Sequence, residues 1–561
     1  MRPMHDLVIR NALLVDGLGG SPRHGSLAVA GGRIAAVGAD VGAGRQSLDA
    51  GGLALAPGII DNHTHYDAQV TWDPDLSAST AVGVTTAVIG NCGFTIAPCR
   101  PADRDLTMRN LTNVEGMSLD ALRAGIRWEF ETVPEYLAML ERNGSGLNLA
   151  AFVGHSSVRT FVMRDDAARR AATPAEVEAM RALVAEGMGT GAIGFATSTS
   201  PAHNGDGGIP MPSRLADDAE LFALTGALRD TRGVFMLTKG GQTKVSFLEE
   251  IAARNGRPAI IAALLHSNTA PDAVFRDLDE IDAANARGRR LVGAISCCPL
   301  SMDFTLAAPY PFEGLAAWQP ALGQKGEAFK RVIAQPGFRD AIRAELAQPA
   351  VFRLFSGEWD KVFVVEVARA ENRGLENRSF ADIGRAQGKD PLDALLDLAL
   401  AEELETVFVA LLLNSDENAV ARLILHPHSL VSLSDAGAHL TFFNDAGFGL
   451  HLLGHWVRER GALTLAEGVR KLTSDPARVF GIRGRGRLEA GCAADLMLFD
   501  PATVGRGPKR RIFDLPAGAA RLVTPAVGVH GVWVNGERVV DASGPIPSAP
   551  RAGRLLREFA G

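Results

Sequence analysis

A pair of histidines directly follows a short apolar segment near the start of this chain. Residues 53–56 are apolar, and Pro57 leads into Gly58-Ile59-Ile60-Asp61-Asn62-His63-Thr64-His65, a pattern that predicts a buried strand ending in an open turn. Because alternate side chains of a strand share one face, we expect His63 and His65 to point the same way, about 7 Å apart. Two imidazoles in this position could hold a metal ion, or each could bond only to water or backbone.

Further side chains with metal or proton chemistry follow later apolar runs. Cys92 lies between an asparagine and a glycine after residues 84–90, where its thiolate could reach a metal, although a small buried cysteine would also fit. His266 ends the run 259–266 and Asp435 ends the run 430–435. An aspartate there could take a proton from a metal-activated water and pass it to a leaving nitrogen, and it could also contact the metal.

Lys239 is unusual because it closes the apolar run 233–239 beside two glycines. Burying an ammonium group is costly unless its pKa falls or the amine is modified. A neutral lysine could add carbon dioxide to become a carbamate, which is an anionic ligand able to bridge two metal ions. Alternatively, Lys239 points at a substrate anion or at solvent.

A second set of polar residues follows the predicted strands and is expected to contact the substrate. His155 follows the third apolar run, where it could also be a metal ligand, and His203 lies in a polar, glycine-rich loop after the fourth. The substrate-binding candidates are His155, Arg159, His203, Asn268 and His439.

The elements that must position these residues alternate short apolar runs with helical segments, which is typical of βα units and a parallel sheet. Eight such units within residues 57–480 predict a (β/α)8 TIM barrel, whose chemistry lies at the C-terminal ends of its strands. The predicted strands are 58–65, 84–90, 148–154, 191–197, 233–239, 259–266, 291–297 and 430–435.

The two chain ends are rich in short alternating strand patterns separated by glycine turns. This pattern predicts a small β-sandwich domain built from residues 1–56 and 481–561, beside the barrel of residues 57–480. Residues 300–428 form the largest insertion and carry many aromatic residues. We interpret the insertion as a helical cap over the barrel mouth, with extra outer helices as the alternative.

Composition narrows the partners of this 561-residue chain. Its 47% hydrophobic and 22% charged residues are ordinary for a soluble globular protein. A formal charge of −7 argues against a nucleic-acid partner, and no apolar run is long enough to span a membrane. Five cysteines in so long a chain suit a reducing compartment, so we expect a cytoplasmic protein that acts on a small molecule. We also expect that it can form a homo-oligomer.

Several motifs together resemble the amidohydrolase superfamily and, within it, the N-acyl-D-amino-acid deacylase (D-aminoacylase) family. They are residues 57–67, Gly83-Val84-Thr85-Thr86, Gly90-Asn91-Cys92-Gly93 and Ser434-Asp435-Ala436-Gly437. The resemblance covers nearly the whole chain. It implies zinc held by Cys92 and His266, a second and weaker site at His63 and His65, and Asp435 as the catalytic acid and base.

The chain departs from that family at strand five. The family pattern Thr-His-x-Arg is replaced by Thr238-Lys239-Gly240-Gly241, so a histidine ligand and a carboxylate-binding arginine are both missing. The resemblance implies that the metal is zinc. The departure at strand five leaves one or two ions open, with Lys239 as a candidate carbamate.

The predicted function is metal-dependent hydrolysis of an amide C–N bond that is not part of a peptide backbone. The alternatives are a cyclic-amide hydrolase of the dihydroorotase or hydantoinase type with a carbamylated lysine, and a catalytically inactive scaffold.

Overall fold

The computed structural model describes residues 4–349, 353–439 and 446–560. The chain divides into two compact units. The first comprises Met1–Leu264, Asp277–Cys297 and Leu423–Gly561, and the second comprises Leu265–Arg276 and Cys298–Arg422. Each unit contains a β-sheet of its own.

The described strands, numbered along the chain, are β1 (His5–Leu14), β2 (Arg23–Ala30), β3 (Arg33–Gly38), β4 (Gly44–Asp49), β5 (Ala54–Pro57), β6 (Ile59–Asp61), β7 (Val84–Ile89), β8 (Asn148–Gly154), β9 (Gly194–Ser198), β10 (Val234–Thr238), β11 (Ala259–Leu264), β12 (Leu291–Ile295), β13 (Leu300–Phe304), β14 (Val362–Glu366), β15 (Val407–Leu413), β16 (Ser429–Val431), β17 (Leu496–Phe499), β18 (Gly505–Arg506), β19 (Arg510–Ile512), β20 (Arg521–Val523), β21 (Ala526–Val527), β22 (Val529–Val534), β23 (Glu537–Asp541) and β24 (Gly544–Pro545).

The described α-helices are α1 (Ser77–Thr80), α2 (Arg104–Glu115), α3 (Leu119–Gly125), α4 (Val133–Asn143), α5 (His155–Met163), α6 (Pro174–Gly189), α7 (Asp218–Gly226), α8 (Val245–Asn255), α9 (Ala273–Ala286), α10 (Gly326–Ile333), α11 (Pro336–Leu346), α12 (Phe380–Gln387), α13 (Pro391–Ala401), α14 (Glu417–Leu425), α15 (Phe448–His451), α16 (Leu465–Leu472) and α17 (Ser474–Phe480).

Eight strands form one parallel sheet in the order β6-β7-β8-β9-β10-β11-β12-β16, so all eight predicted barrel strands are confirmed. Every residue of β7, β8, β9 and β10 is buried, as expected for a parallel sheet covered on both faces. The two edges meet through the segments that follow β6 and β16. Asn62 Nδ2 donates to the Val431 carbonyl (2.9 Å), and the His65 amide donates to the Ala436 carbonyl (2.7 Å). The fold is that of a TIM barrel.

The first barrel strand is shorter than predicted. It ends at Asp61, where the regular ladder with β7 also ends, although the Thr64 amide still donates to the Val88 carbonyl (3.1 Å). Helix α6 begins with a capping box between Thr173 and Glu176. This cap satisfies backbone N–H groups that have no partner inside the helix.

Strands from both chain ends share one nine-stranded sheet, which confirms that the two ends come together. β5 pairs antiparallel with β17, so that Leu55 lies opposite Leu498. β1 pairs with β2 on one side, and on its other side it pairs first with β4 and further along with β5. Buried apolar side chains from both chain ends form one core cluster. Ile9, Leu496 and Trp533 belong to that core. The domain boundaries at 56/57 and 480/481 stay predictions.

The second unit contains a sheet as well as helices, so the purely helical reading of the insertion is wrong. β13, β15 and β14 form a three-stranded antiparallel sheet. Short apolar runs cannot be assigned to strand or helix by periodicity alone, and for this reason the sheet was not predicted. The unit is held by packed aromatic rings, namely Phe304, Phe312, Trp318, Phe355 and Phe408. The role of the insertion as a cap stays a prediction.

Candidate metal centre and active site

Three metal-ligating side chains converge beyond the ends of the first two barrel strands. His63, His65 and Cys92 are all buried, and one ligand atom from each lies within 4.8 Å of the others. The two imidazole centroids are 5.3 Å apart, and Cys92 Sγ is 3.5 Å from His63 Nε2. Imidazole nitrogen and thiolate sulfur are the donors that zinc prefers, so these residues fit a transition-metal ion.

A strained turn presents Cys92 to the histidines. Cys92 has a φ of +58°, a left-handed conformation that costs of the order of 1–3 kcal/mol for a residue with a side chain. The next residue, Gly93, has a φ of +76°, and a Cβ there would lie 2.5 Å from the Ala196 carbonyl oxygen. The Cys92 thiol also contacts Thr238 Oγ1 at 3.1 Å, which joins the turn to the end of β10.

Asp435 faces both histidines from the segment after β16. Its Oδ1 lies 3.3 Å from His63 Nε2 and 3.5 Å from His65 Nε2. Asp435 has a φ of +48°, and its amide donates to the His63 carbonyl (3.2 Å). Two residues later, Gly437 has a φ of +93°, and a Cβ there would lie 2.7 Å from the His65 carbonyl. The close approach of these two segments thus depends on a glycine.

The surroundings of His63, His65 and Cys92 shift the pKa of each side chain. Burial lowers the pKa of His63 to about 3, so this imidazole is neutral near pH 7. Burial would also lower the pKa of His65, but the carboxylates of Glu115 and Asp435 raise it well above its usual value. Burial raises the pKa of the Cys92 thiol. A metal ion would therefore displace protons from His65 and Cys92 when it binds.

The Asp435 carboxylate is ionised in this environment. Burial by itself would raise its pKa, but the hydrogen bond from His65 and the nearby His63 outweigh burial and hold the pKa well below its usual range. An ionised carboxylate beside two potential ligands can accept a proton.

Two polar residues from the motifs that carry the resemblance fix the backbone of the site. Asn91 Nδ2 donates to the Val88 carbonyl (2.8 Å) and to the Thr64 carbonyl (3.3 Å). Ser434 Oγ donates to the His63 carbonyl (3.0 Å). These bonds connect the segments that carry His63, Cys92 and Asp435, and so preserve their spacing.

Glu115, at the end of α2, is a site residue that the sequence analysis missed. Its Oε1 lies 3.3 Å from His65 Nδ1, and both side chains are 5% exposed. Its carbonyl accepts a hydrogen bond from the His439 amide (2.5 Å). Glu115 ends a helix and follows no strand, so a search of strand ends could not find it. The Gly116 that follows it signals only a helix terminus.

His155 and Arg159 belong to a buried polar network. Both side chains are 0% exposed. His155 bonds Thr197 Oγ1 (2.7 Å) and Glu220 Oε1 (2.8 Å), and Arg159 donates to the other oxygen of Glu220. Burial lowers the pKa of His155 despite the bond to Glu220. This network ties α5 to α7, and the contact of His155 and Arg159 with substrate stays a prediction.

His203 and His439 both lie in the electrostatic neighbourhood of Asp435. His203 Nδ1 bonds Ser198 Oγ (2.6 Å), and its ring packs edge-on against Phe94 at 4.9 Å. Burial lowers the pKa of His203 to about 3, and His439 and His65 add to this effect. Burial likewise lowers the pKa of His439, against the opposing charge of Asp435. The contact of His203 and His439 with substrate stays a prediction.

Lys239 forms an ion pair instead of standing free. Its Nζ lies 2.8 Å from Asp277 Oδ2 and 2.9 Å from Oδ1. The Lys239 and Asp277 side chains are 17% and 21% exposed. The pair occupies the position where the resemblance implied a histidine ligand, and Asp277 could not be identified as a partner from the sequence.

The remaining two predicted site residues belong to the second unit. The His266 side chain is 4% exposed, and its Nδ1 has no hydrogen-bond partner among the described residues. Asn268 Nδ2 donates to both carboxylate oxygens of Glu358 at 2.8 Å. The metal role of His266 and the substrate role of Asn268 stay predictions.

Two imidazoles, a thiol and an ionised carboxylate at the C-terminal end of a parallel barrel define a metal-dependent hydrolase. A model of the amidohydrolase family matches residues 46–289 and 357–540. The chain belongs to the amidohydrolase family, as the resemblance indicated, and is a metal-dependent enzyme that hydrolyses amide C–N bonds.

Known proteins are similar to this chain over nearly its whole length. D-aminoacylase of Alcaligenes xylosoxydans xylosoxydans is 30% identical over 540 residues, covering 95% of this chain and 94% of the relative. N-acyl-D-glutamate deacylase of the same organism is 30% identical over 571 residues, covering 100% and 98%. The solved structure of N-acyl-D-glutamate deacylase from Bordetella bronchiseptica, complexed with zinc and a phosphonate mimic of the tetrahedral intermediate, has a TM-score of 0.66. It is 27% identical and covers 99% of this chain and 100% of that one.

Among the residues that the structure describes, no helix has the length and apolar character needed to cross a membrane. The cytoplasmic location and the homo-oligomer stay predictions.

Proposed function

We propose that this enzyme is a zinc-dependent deacylase of N-acyl-D-amino acids. The observation that carries the proposal is the convergence of His63, His65 and Cys92 beside Asp435. This convergence occurs in a chain that is 30% identical to D-aminoacylase and to N-acyl-D-glutamate deacylase over nearly its full length.

One zinc ion, held by His63, His65 and Cys92, is the metal content that we propose. Lys239 is not a metal ligand in this proposal, because its Nζ is engaged by the Asp277 carboxylate at 2.8 Å. A carbamate on that nitrogen would place a second negative charge beside Asp277, so the pair disfavours a lysine-bridged centre. Zinc analysis of His266→Ala would test the predicted contribution of that histidine separately.

When bound, the zinc ion would act as a Lewis acid toward the amide carbonyl and would lower the pKa of the attacking water. The proton chemistry belongs to Asp435, whose ionised carboxylate faces His63 and His65. Asp435 accepts a proton from the water and returns it to the departing nitrogen as the C–N bond breaks. The products are a carboxylate, which keeps the water oxygen, and an amine.

An N-acyl amino acid also carries a carboxylate, and Arg214 is the cation that we propose for it. Arg214 Nη1 donates to the His203 carbonyl (3.1 Å) and to the Asn204 side chain. Burial lowers the pKa of Arg214, and no acidic side chain among the described residues is paired with it. Arg159 and Lys239, by contrast, are already neutralised by Glu220 and Asp277.

The test is a panel of N-acyl-D-amino acids, their L-enantiomers and cyclic amides, assayed with zinc-loaded enzyme. We expect hydrolysis of the N-acyl-D-amino acids. Arg214→Ala should raise KM by about tenfold or more, the scale of one charged hydrogen bond, with little change for the matching substrates without a carboxylate. The control is Lys244→Ala, since Lys244 is exposed. Hydrolysis confined to cyclic amides would overturn the proposal.

A further inference from the structure

We propose that Glu115 is the positioning residue that fixes His65 as a metal ligand, and this inference rests on the zinc site proposed above. Glu115 Oε1 faces His65 Nδ1 at 3.3 Å, while His65 Nε2 faces Asp435 Oδ1 at 3.5 Å. The two ring nitrogens therefore have separate tasks. One is directed at a carboxylate anchor and the other at the metal-binding cluster.

Glu115 is buried, and a buried carboxylate needs a hydrogen-bond or ion-pair partner. Its side chain is 5% exposed, and among the described residues neither carboxylate oxygen has a hydrogen bond of good geometry. His65 Nδ1 is likewise without one. A buried carboxylate without a partner is strongly destabilising, and the imidazole of His65 lies 3.3 Å from Glu115 Oε1. The 3.3 Å separation is close to hydrogen-bonding distance.

The chemistry of metal-bound histidine explains why a carboxylate belongs there. A histidine that binds a metal through Nε2 must carry its proton on Nδ1, and an acceptor at Nδ1 selects this tautomer and orients the ring. Glu115 is placed to be that acceptor. It also makes the imidazole a stronger donor, because the carboxylate polarises the Nδ1–H bond.

The backbone of Glu115 adds a second connection. Its carbonyl accepts the His439 amide at 2.5 Å, and α2 ends directly afterwards at Gly116, which has a φ of +62°. One residue thus touches a predicted ligand through its side chain and the segment after Asp435 through its backbone. The end of α2 is therefore part of the frame that sets the distance between His65 and Asp435.

The test measures zinc affinity directly, by titrating zinc-free full-length protein in competition with a chromogenic chelator. Glu115→Ala should bind zinc about 10–100-fold more weakly, the usual cost of losing a carboxylate that orients a ligand, with unchanged stoichiometry. Glu115→Gln keeps an acceptor in the same place and should stay close to wild type. Glu115→Asp withdraws the acceptor by one methylene and should bind weakly. The control is Glu186→Ala, because Glu186 is exposed on α6.

Cobalt(II) substitution gives a second readout. The thiolate charge-transfer band from Cys92 should persist in Glu115→Ala, while the visible ligand-field bands change as His65 loses its orientation.

The outcomes separate the inference from the proposed function. Wild type that binds no zinc would overturn the zinc site and everything built on it. Wild type that binds zinc, with an equal affinity in Glu115→Ala, would overturn only the role of Glu115. Loss of one of two metal equivalents in Glu115→Ala would make Glu115 a ligand and contradict the positioning role. If the alanine variant does not fold, the order of Gln above Asp in zinc affinity decides the question, and the reverse order refutes it.

Discussion

At the scale of single residues, Cys92 and Asp435 share a left-handed backbone conformation, with φ values of +58° and +48°. Such conformations persist only where the surroundings hold them. Here the amide of Asp435 bonds the His63 carbonyl, and the thiol of Cys92 contacts Thr238. Both side chains are thereby fixed toward the two histidines.

Asp435→Asn tests the proton transfer at this scale. Asparagine tolerates a left-handed conformation and has nearly the same shape as aspartate, so the site should keep its geometry. It cannot accept the proton of a water, and kcat should fall by about 10²–10⁴-fold. Zinc content should stay at the wild-type level because His63, His65 and Cys92 are intact. A variant with normal kcat would show that another group is the base.

The sequence identified His63, His65, Cys92 and Asp435 because each lies just beyond an apolar run, and barrel strands bring such positions to one end. It could not identify Glu115, whose proximity to His65 depends on the course of α2. It could not identify Glu220 as the buried partner of His155 either, because the two residues are 65 positions apart. Contacts between residues that are distant in the sequence cannot be identified from one sequence alone.

At the scale of elements, the Asn91–Gly93 turn decides where the thiol of Cys92 points. Gly93→Ala should weaken zinc binding and destabilise the fold by about 1–3 kcal/mol, because the new Cβ would meet the Ala196 carbonyl at 2.5 Å and φ is +76°. Gly189→Ala is the matched control, since a Cβ there meets nothing within 4 Å. Denaturant unfolding and zinc titration measure both effects. Equal behaviour of the two variants would refute a constrained turn.

The pairing of α5 with α7 gives a second prediction for elements. Glu220 is 1% exposed and binds both His155 and Arg159. Glu220→Gln should cost about 3 kcal/mol at pH 7, because the Arg159 charge would stay buried without its counter-ion. Glu178→Gln, in a surface pair with Arg181, should cost less than about 1 kcal/mol. Chemical denaturation of the three proteins provides the comparison.

The pH dependence of this difference has a definite sign. Burial would raise the pKa of Glu220, but its bonds to His155 and Arg159 outweigh burial and lower it. A lowered pKa contributes stability above the pKa of the unfolded chain, near 4.3 for glutamate, and this contribution is lost as the pH falls through the folded pKa. The gap between wild type and Glu220→Gln should therefore be full at pH 7 and shrink below about pH 4. A gap that grows on acidification would contradict the assignment.

The eight barrel strands could be predicted because parallel strands buried on both faces are continuous apolar runs. The sheet of the second unit could not, because its short apolar runs fit a strand or a helix equally well.

At the scale of the whole molecule, the fold uses distant parts of the chain to build one site. His63 and Asp435 are separated by about two thirds of the sequence, yet the segments at the ends of β6 and β16 bond to each other and close the barrel. The terminal sheet joins the two chain ends in the same way through β5 and β17. Because β5 leads directly into β6, the terminal sheet also anchors the strand before the histidine pair.

The most direct test of a single catalytic zinc ion is elemental analysis paired with assay of the same samples. Wild type, Lys239→Ala and Cys92→Ala are purified without chelators, and zinc per chain and amide hydrolysis are measured on each. The account predicts one zinc ion per chain in wild type and in Lys239→Ala, and parallel loss of zinc and activity in Cys92→Ala. Two zinc ions in wild type, with one lost in Lys239→Ala, would contradict it and establish a lysine-bridged centre.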